Sequence, residues 1–196
     1  MQDSNSHLFD FFDLNEFVAI DLETTGLDHS HDKIIEISAV KYIDGKQTEI
    51  FNHLLDPGMK ITRFIEDLTG ITNQMVLDKP CIKDVINDFF DFIGDCPIVG
   101  HNLNFDIAFI NQNNDTKNTL DSNRIYDTYL LSKFVLFQNS EFSLEAITEY
   151  YKFDSSGSHR ATQDCINSAK VFIKLIKDLL QIDLDVLERI RKLYEE

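Results

Sequence analysis

Residues 17–28 read FVAIDLETTGLD, an apolar, strand-like run that carries two carboxylates, Asp21 and Glu23, in its middle. Side chains two apart on a strand share a face, so this pair would stand side by side beside a buried run. Like charges held that close need compensation: a shared proton, a nearby Arg or Lys, or a divalent cation. The stretch itself contains no basic residue.

Outward from this run the punctuation is sparse, three prolines and seven glycines in 196 residues, and therefore readable. Residues 17–24 read as a strand, 25–32 (TGLDHSHD) as a loop, and 34–43 (IIEISAVKYI) as a second strand with partial alternation. Asp44-Gly45 is a tight hairpin signal, so 46–55 should return antiparallel and end at Asp56-Pro57-Gly58. Residues 63–69 and 82–93 read as helices, the second with Val85, Ile86, Phe89, Phe90 and Ile93 recurring at three and four. Residues 96–100 form a short buried strand, 105–112 a helix and 124–127 a fifth strand; helices are expected over 128–137, 143–151, 160–180 and 184–194. The pattern predicts an α/β fold: a five-stranded mixed sheet, its first three strands joined as antiparallel hairpins, flanked by helices.

Composition narrows the class. At 43% hydrophobic the chain suits one domain with a sizeable core. Cys81, Cys96 and Cys165 are odd in number, widely separated and form no C-x-x-C pair, as expected of packed thiols in a reducing compartment rather than a structural zinc framework. No apolar run approaches the ~18 to 20 residues of a membrane span. The start, MQDSNSHLFDFFDLN, lacks the positive charge of a secretory signal. A soluble, cytoplasmic protein without membrane association is expected. The net charge of −16 repels phosphate backbones at long range. Nucleic acid would have to be engaged locally through metal ions, or beside a partner that supplies positive surface; a merely soluble acidic protein is the plain alternative.

Two further stretches offer partners to Asp21 and Glu23. In VGHNLNFDIAFI, residues 99–110, Asp106 falls in the first turn of a helix that follows a buried strand. Capping explains an acid there, but in α/β sheets functional sites also gather beyond the carboxyl ends of strands. In SHRATQDCINSAKVF, residues 158–172, His159 and Asp164 are five apart. On an ideal helix that is ~140°, so both reach one site only if His159 precedes the helix or sits in a loosened first turn. Cys165, Ala169, Phe172, Ile176 and Leu179 mark the buried face of that helix.

In order and content, Asp21-x-Glu23, GHNLNFD ending at Asp106, and HRATQD with His159 and Asp164 resemble the three motifs of the DEDDh-type 3′-to-5′ exonucleases. That group contains the proofreading subunit of the bacterial replicative polymerase, DNA polymerase III. The likeness spans residues 16–176 and takes in Leu68-Thr69-Gly70-Ile71-Thr72, Tyr126-Asp127-Thr128 and Phe142-Ser143-Leu144-Glu145. It implies a ribonuclease H-like fold and hydrolysis of phosphodiester bonds from a 3′ end.

By this resemblance two divalent cations, Mg²⁺ or Mn²⁺, neutralise the acids. Asp21 would bridge both ions, Glu23 and Asp164 would complete the first ion's shell, and Asp106 would hold ligand waters or contribute directly. His159 would take the proton from the attacking water, a task that suits a group titrating near the working pH. The family further implies that Thr24, Thr25 and Gly26 border the terminal nucleotide through backbone groups, with Leu27, Leu68 and Ile71 packing on its base. His101 reads as a structural or orienting residue at the substrate, beside Asn102 and Phe105. Phe105 and Phe109, four apart, suit the core better than base stacking. Asp28-His29-Ser30-His31-Asp32 has zinc-ligand residue types without a matching distant pair, as a solvated loop does.

The expected division is an N-terminal segment over 1–15, an exonuclease domain over 16–181, and a C-terminal helix over 182–196 that packs on the domain or docks a partner. Leu8, Phe9, Phe11, Phe12 and Leu14 should pack against the domain's own edge, with docking as the alternative. The expected substrate is the 3′ end of single-stranded DNA, released as nucleoside monophosphates by an enzyme that is either free-standing or serves a polymerase as proofreader. RNA or short oligonucleotides cleaved by the same chemistry are one alternative, and a noncatalytic scaffold, disfavoured by the intact acids, is another. Residues 181–186 (QIDLDV) faintly resemble the peptide by which replication proteins hold the sliding clamp; Asp183 capping an amphipathic helix is the plainer reading.

Overall fold

The computed structural model describes residues 14–113, 118–120, 122–154 and 159–181. Three strands come first: β1 (Glu16–Thr24), β2 (Ile34–Ile43) and β3 (Lys46–Leu54). Helices α1 (Arg63–Thr69), α2 (Asn73–Val76) and α3 (Ile82–Ile93) follow. Then β4 (Ile98–Gly100), α4 (Asn104–Gln112), β5 (Ile125–Asp127), α5 (Thr128–Val135), α6 (Leu144–Tyr150) and α7 (Ala161–Leu179) complete the described order. The sheet runs β3-β2-β1-β4-β5, antiparallel between β1, β2 and β3 and parallel between β1, β4 and β5. This is the mixed sheet the sequence predicts.

The β2–β3 hairpin turns on Asp44 (φ 51°) and Gly45 (φ 71°), two consecutive left-handed residues that match the twist of the paired strands. Alternation along β1 then divides the molecule into two layers. Val18, Ile20 and Leu22 face Phe89, Phe90 and Ile93 of α3 and Phe109 of α4. Phe17 and Ala19 point the other way, with Val40 and Tyr42 of β2, onto Cys165, Ala169, Phe172 and Ile176 of α7. That is the helix face expected from sequence. Leu14, the described end of the Phe-rich leader, is buried in the same cluster, between the sheet and α7. The rest of that leader, residues 1–13, and the predicted helix over 184–194 lie outside the described residues.

Two features depart from expectation. Helix α2 is a single turn capped by Thr72, too short to leave a periodic pattern. Helix α7 buries a second face, Val171 and Leu175, against Leu136 and Ile147 beside α5 and α6. Among the described residues, no helix is long and apolar enough to cross a membrane.

Candidate active site

Asp21 and Glu23 project from the carboxyl half of β1, on the α7 side of the sheet, because the alternation that buries Val18, Ile20 and Leu22 leaves odd positions facing α7. Asp164 comes from the first turn of α7. Carboxylate oxygens of Asp21, Glu23 and Asp164 lie within 4.8 Å of one another. Asp106, in the first turn of α4, and His159 line the same pocket, of about 300 Å³. All five residues singled out as catalytic are therefore brought to one hollow.

His159 precedes α7 in a left-handed conformation (φ 65°), and its N–H donates to Asp164 Oδ2 at 2.9 Å. This satisfies the condition set by the five-residue spacing. It also strains the backbone, by roughly 1–3 kcal/mol for a non-glycine residue.

The acids repel one another. Burial, then the charges of Asp106, Asp164, Glu23 and Glu36, push Asp21 well above the usual carboxylate range. Burial and the charges of Asp164, Glu36 and Asp106 raise Glu23 to about 8, against which the Arg160 guanidinium pulls only weakly. Asp106 is raised to about 8, chiefly by burial, although its own backbone N–H and that of Leu22 favour its charged form. The Leu22 N–H belongs to β1, so the carboxylate ties the start of α4 to the sheet, and no side chain caps that helix. Asp164 is raised by burial while the His159 N–H opposes the shift.

Of the three compensations open to such a cluster, the basic side chain is already committed elsewhere. Arg160 is paired with Glu36, Nη2 to Oε1 at 2.9 Å and Nε to Oε2 at 3.0 Å. That leaves protons or a cation. Closely set carboxylate oxygens are what a hard divalent cation selects, so Asp21, Glu23 and Asp164 fit such an ion, with Asp106 beside them. The Asp28–Asp32 loop is bonded to itself instead: His31 Nδ1 lies 2.9 Å from Asp28 Oδ2, and the Ser30 N–H donates to Asp28 Oδ1.

The loop after β4 is fixed from β5. Asp127 accepts from the N–H groups of Asn102 and Leu103, both at 3.0 Å, and of Tyr129 at 2.8 Å. A Cβ at Gly100 would lie 2.3 Å from Leu103 Cδ2 and 3.0 Å from Ile20 O, so a side chain there would displace the buried Leu103. His101 Nδ1 sits 2.9 Å from Thr128 Oγ1, and burial holds its pKa below the ordinary value. His101, Asn102 and Phe105 all line the pocket. Phe109 is fully buried in the core, as expected, whereas Phe105 packs on that core and borders the pocket as well.

The other expected substrate contacts lie outside that lining. Thr24 and Thr25 are buried, their hydroxyls donating to Gly26 O at 2.5 Å and Asp32 Oδ1 at 3.0 Å. Leu27 is 86% exposed and Leu68 44% exposed, so both side chains are open to a ligand. Ile71 requires correction: its side chain is wholly buried among Ile35, Ile61, Ile65 and Val76, and presents no surface to a base.

Sequence reasoning missed Glu36 and Arg160. The signal was present in IIEISAVKYI, where Glu36 and Ser38 repeat the polar i, i+2 pattern of Asp21 and Glu23 on an otherwise apolar strand. It also left unassigned the far wall of the pocket, formed by Ser143, Leu144, Glu145 and Thr148 at the start of α6.

A mixed sheet with acids gathered at the carboxyl end of its central strand defines a ribonuclease H-like nuclease class. The family model described as "Exonuclease" matches residues 18–172, and the chain belongs to that family. The DNA polymerase III subunit epsilon of Aquifex aeolicus is 38% identical over 164 residues, covering 83% of this chain and 81% of that protein. A PolC-type DNA polymerase III of Caldanaerobacter subterraneus is 34% identical over 181 residues, 92% of this chain, but the chain spans only 13% of its length. Among solved structures, exonuclease X in complex with 5′ overhanging duplex DNA superposes with a TM-score of 0.67 at 29% identity, covering 82% of this chain and 91% of that one. The fold is also that of E. coli exonuclease I bound to a dA16 oligonucleotide, with a TM-score of 0.69 at 16% identity over 85% of this chain and 43% of that one. The family depends on divalent metal ions, and this chain supplies the acidic cluster they need.

Proposed function

We propose that the chain removes nucleotides one at a time from the 3′ end of single-stranded DNA by hydrolysis, releasing nucleoside monophosphates. The observation that carries this reading is the convergence of Asp21, Glu23, Asp106, Asp164 and His159 on one open pocket. The pocket opens to solvent and its volume of about 300 Å³ gives room for a terminal nucleotide.

Asp21, Glu23 and Asp164 hold the divalent cations, Mg²⁺ or Mn²⁺, with Asp106 completing the set. Such ions, when held there, would supply a lowered pKa for bound water and compensation for charge on the leaving oxygen. His159, facing the pocket beside Asp164, accepts the proton of the attacking water. The Gly100–Leu103 turn, pinned by Asp127, presents His101 and Asn102 to the terminal nucleotide, and Phe105 closes the pocket behind it. Thr24, Thr25 and Gly26 offer backbone groups at the rim, and Leu27 and Leu68 offer apolar side chains to the base.

A chain of net charge −16 gains little from long-range attraction to DNA. Delivery of the 3′ end by a polymerase subunit would answer that difficulty, and the likeness to the epsilon and PolC relatives supports proofreading as its setting. The test is a side-by-side digestion of end-labelled single-stranded DNA and RNA of equal sequence with Mg²⁺ or Mn²⁺. Stepwise shortening of DNA from the 3′ end, stopped by chelator and absent in Asp21→Ala, is expected. Internal cleavage, or full activity in Asp21→Ala, would refute the reading; faster digestion of RNA would move the substrate but keep the chemistry.

A further inference from the structure

His159 enters the pocket from a single left-handed residue placed directly before α7. A side chain other than glycine stays in that conformation only where its surroundings over-determine it. One anchor is the bond from its N–H to Asp164. The other is the next residue, Arg160, whose guanidinium lies in a bidentate grip on Glu36 of β2.

Glu36 is fully buried, and its carboxylate also accepts from the Ala161 N–H at 3.2 Å and from Asn52 Nδ2 at 3.0 Å. It stands outside the pocket lining and outside the trio of oxygens that can hold a metal. Worse, it is the cross-strand partner of Glu23 and adds to the repulsion there. Only the Glu36 half of this pair is buried, the Arg160 side chain being 42% exposed, and a carboxylate taken out of water is costly even when paired. An acid that also repels its neighbours calls for a use beyond stability.

Resting on the exonuclease reading above, we propose that Glu36 is a positioning residue for His159, acting through Arg160 to fix the backbone step from which the imidazole reaches the pocket. The geometry of the fork matters as much as its charge: two parallel bonds set the direction of Arg160, and a lysine ammonium supplies only one point of attraction. Ser38 Oγ, 2.9 Å from Thr162 Oγ1, and Asn52 hold the following turn to the same strands. The start of α7 is thereby seated on β2 and β3, and Glu36 reaches the residue adjoining His159.

The experiment compares Glu36→Gln, Arg160→Gln and Arg160→Lys, each alone and combined with His159→Ala, on a labelled single-stranded DNA oligonucleotide with Mn²⁺. Each single variant is expected to lose about 10- to 100-fold in kcat while KM stays within about twofold, the range seen when supporting partners of catalytic groups are removed. Arg160→Lys, despite its charge, is expected to fail to restore the rate. In the His159→Ala background the same changes should cost less than about twofold, because no ring is left to position. An undiminished loss in that background, or a rise in KM with kcat intact, would overturn the proposal.

A second reading needs no catalysis. Trypsin cuts after lysine and arginine, so Glu36→Gln and Arg160→Lys should both be cleaved after position 160 about tenfold or more faster than the native chain under folding conditions. Unchanged cleavage in both would overturn the anchor. A native protein that shortens no 3′ end sinks the functional reading instead, and the trypsin comparison still decides the anchor.

Discussion

The seam between α7 and the sheet has two halves built on the same strands. In the lower half Phe17, Ala19, Val40 and Tyr42 meet Ala169, Phe172 and Ile176, with Phe17 stacked on Tyr42 at 5.0 Å and edge-on to Phe172 at 5.5 Å. In the upper half Asp21 and Glu23, with their cross-strand partners Ser38 and Glu36, meet the start of α7. One half is dry and self-supporting; the other is crowded with like charge. Each large apolar side chain buried below contributes about 1.5–3 kcal/mol, which offsets what the acids above cost. Stability and chemistry are thus separated along a single interface, not between domains.

Asp21→Asn should break the contrast most visibly. Activity on single-stranded DNA is expected to fall by about 10³-fold or more, since several kcal/mol of charge stabilisation depend on the ligand set. In chelator the same variant should melt higher than the native protein, because one buried repelling carboxylate is gone. A lower melting temperature in chelator would show that the upper half is not under strain.

Phe172→Ala addresses the dry half. It should cost about 3–5 kcal/mol of stability, read by denaturant unfolding, while the folded protein at low temperature keeps most of its kcat. A comparable collapse in kcat would mean that the two halves are not separable.

The acidic half should also respond to pH. Glu23 moves from an ordinary 4.5 to about 8 and Asp106 from 3.8 to about 8, so between those limits the folded chain holds protons that the unfolded chain has released. Stability without metal should therefore fall as pH rises from about 4.5 to about 8. Mg²⁺ or Mn²⁺ should raise the melting temperature more at pH 8 than at pH 6, since at the lower pH the ion must displace protons. Parallel melting curves with and without metal would contradict this. Arg63→Ala, far from the seam, closes the series: its exposed pairing with Asp67 is expected to be worth under about 0.5 kcal/mol, with no change in rate.

Much of this was legible in the chain. Asp44-Gly45 and Asp56-Pro57 bracket β3, and alternation gives β1 and β2 nearly to the residue. The acids and His159 were legible by residue type and order, which survive in one dimension. The Glu36–Arg160 pair was not, because it joins positions 124 residues apart. Pairing of Glu23 with Glu36 depends on the β1–β2 register, which the intervening loop leaves undetermined. The second buried face of α7 was hidden for a similar reason: Val171 and Leu175 become core only once α5 and α6 fold over them. Ile71 was misplaced because a segment beside a ligand and a segment packed behind it have the same apolar composition.

The alternation of β1 has one more consequence, for assembly. Sliding this strand by a single residue against its neighbours would turn Asp21 and Glu23 into the oily layer beside Phe89 and bring Leu22 out in their place. No misaligned hairpin can hide such an error, so the same two carboxylates that line the pocket also reject wrong pairings while the chain is still finding its shape.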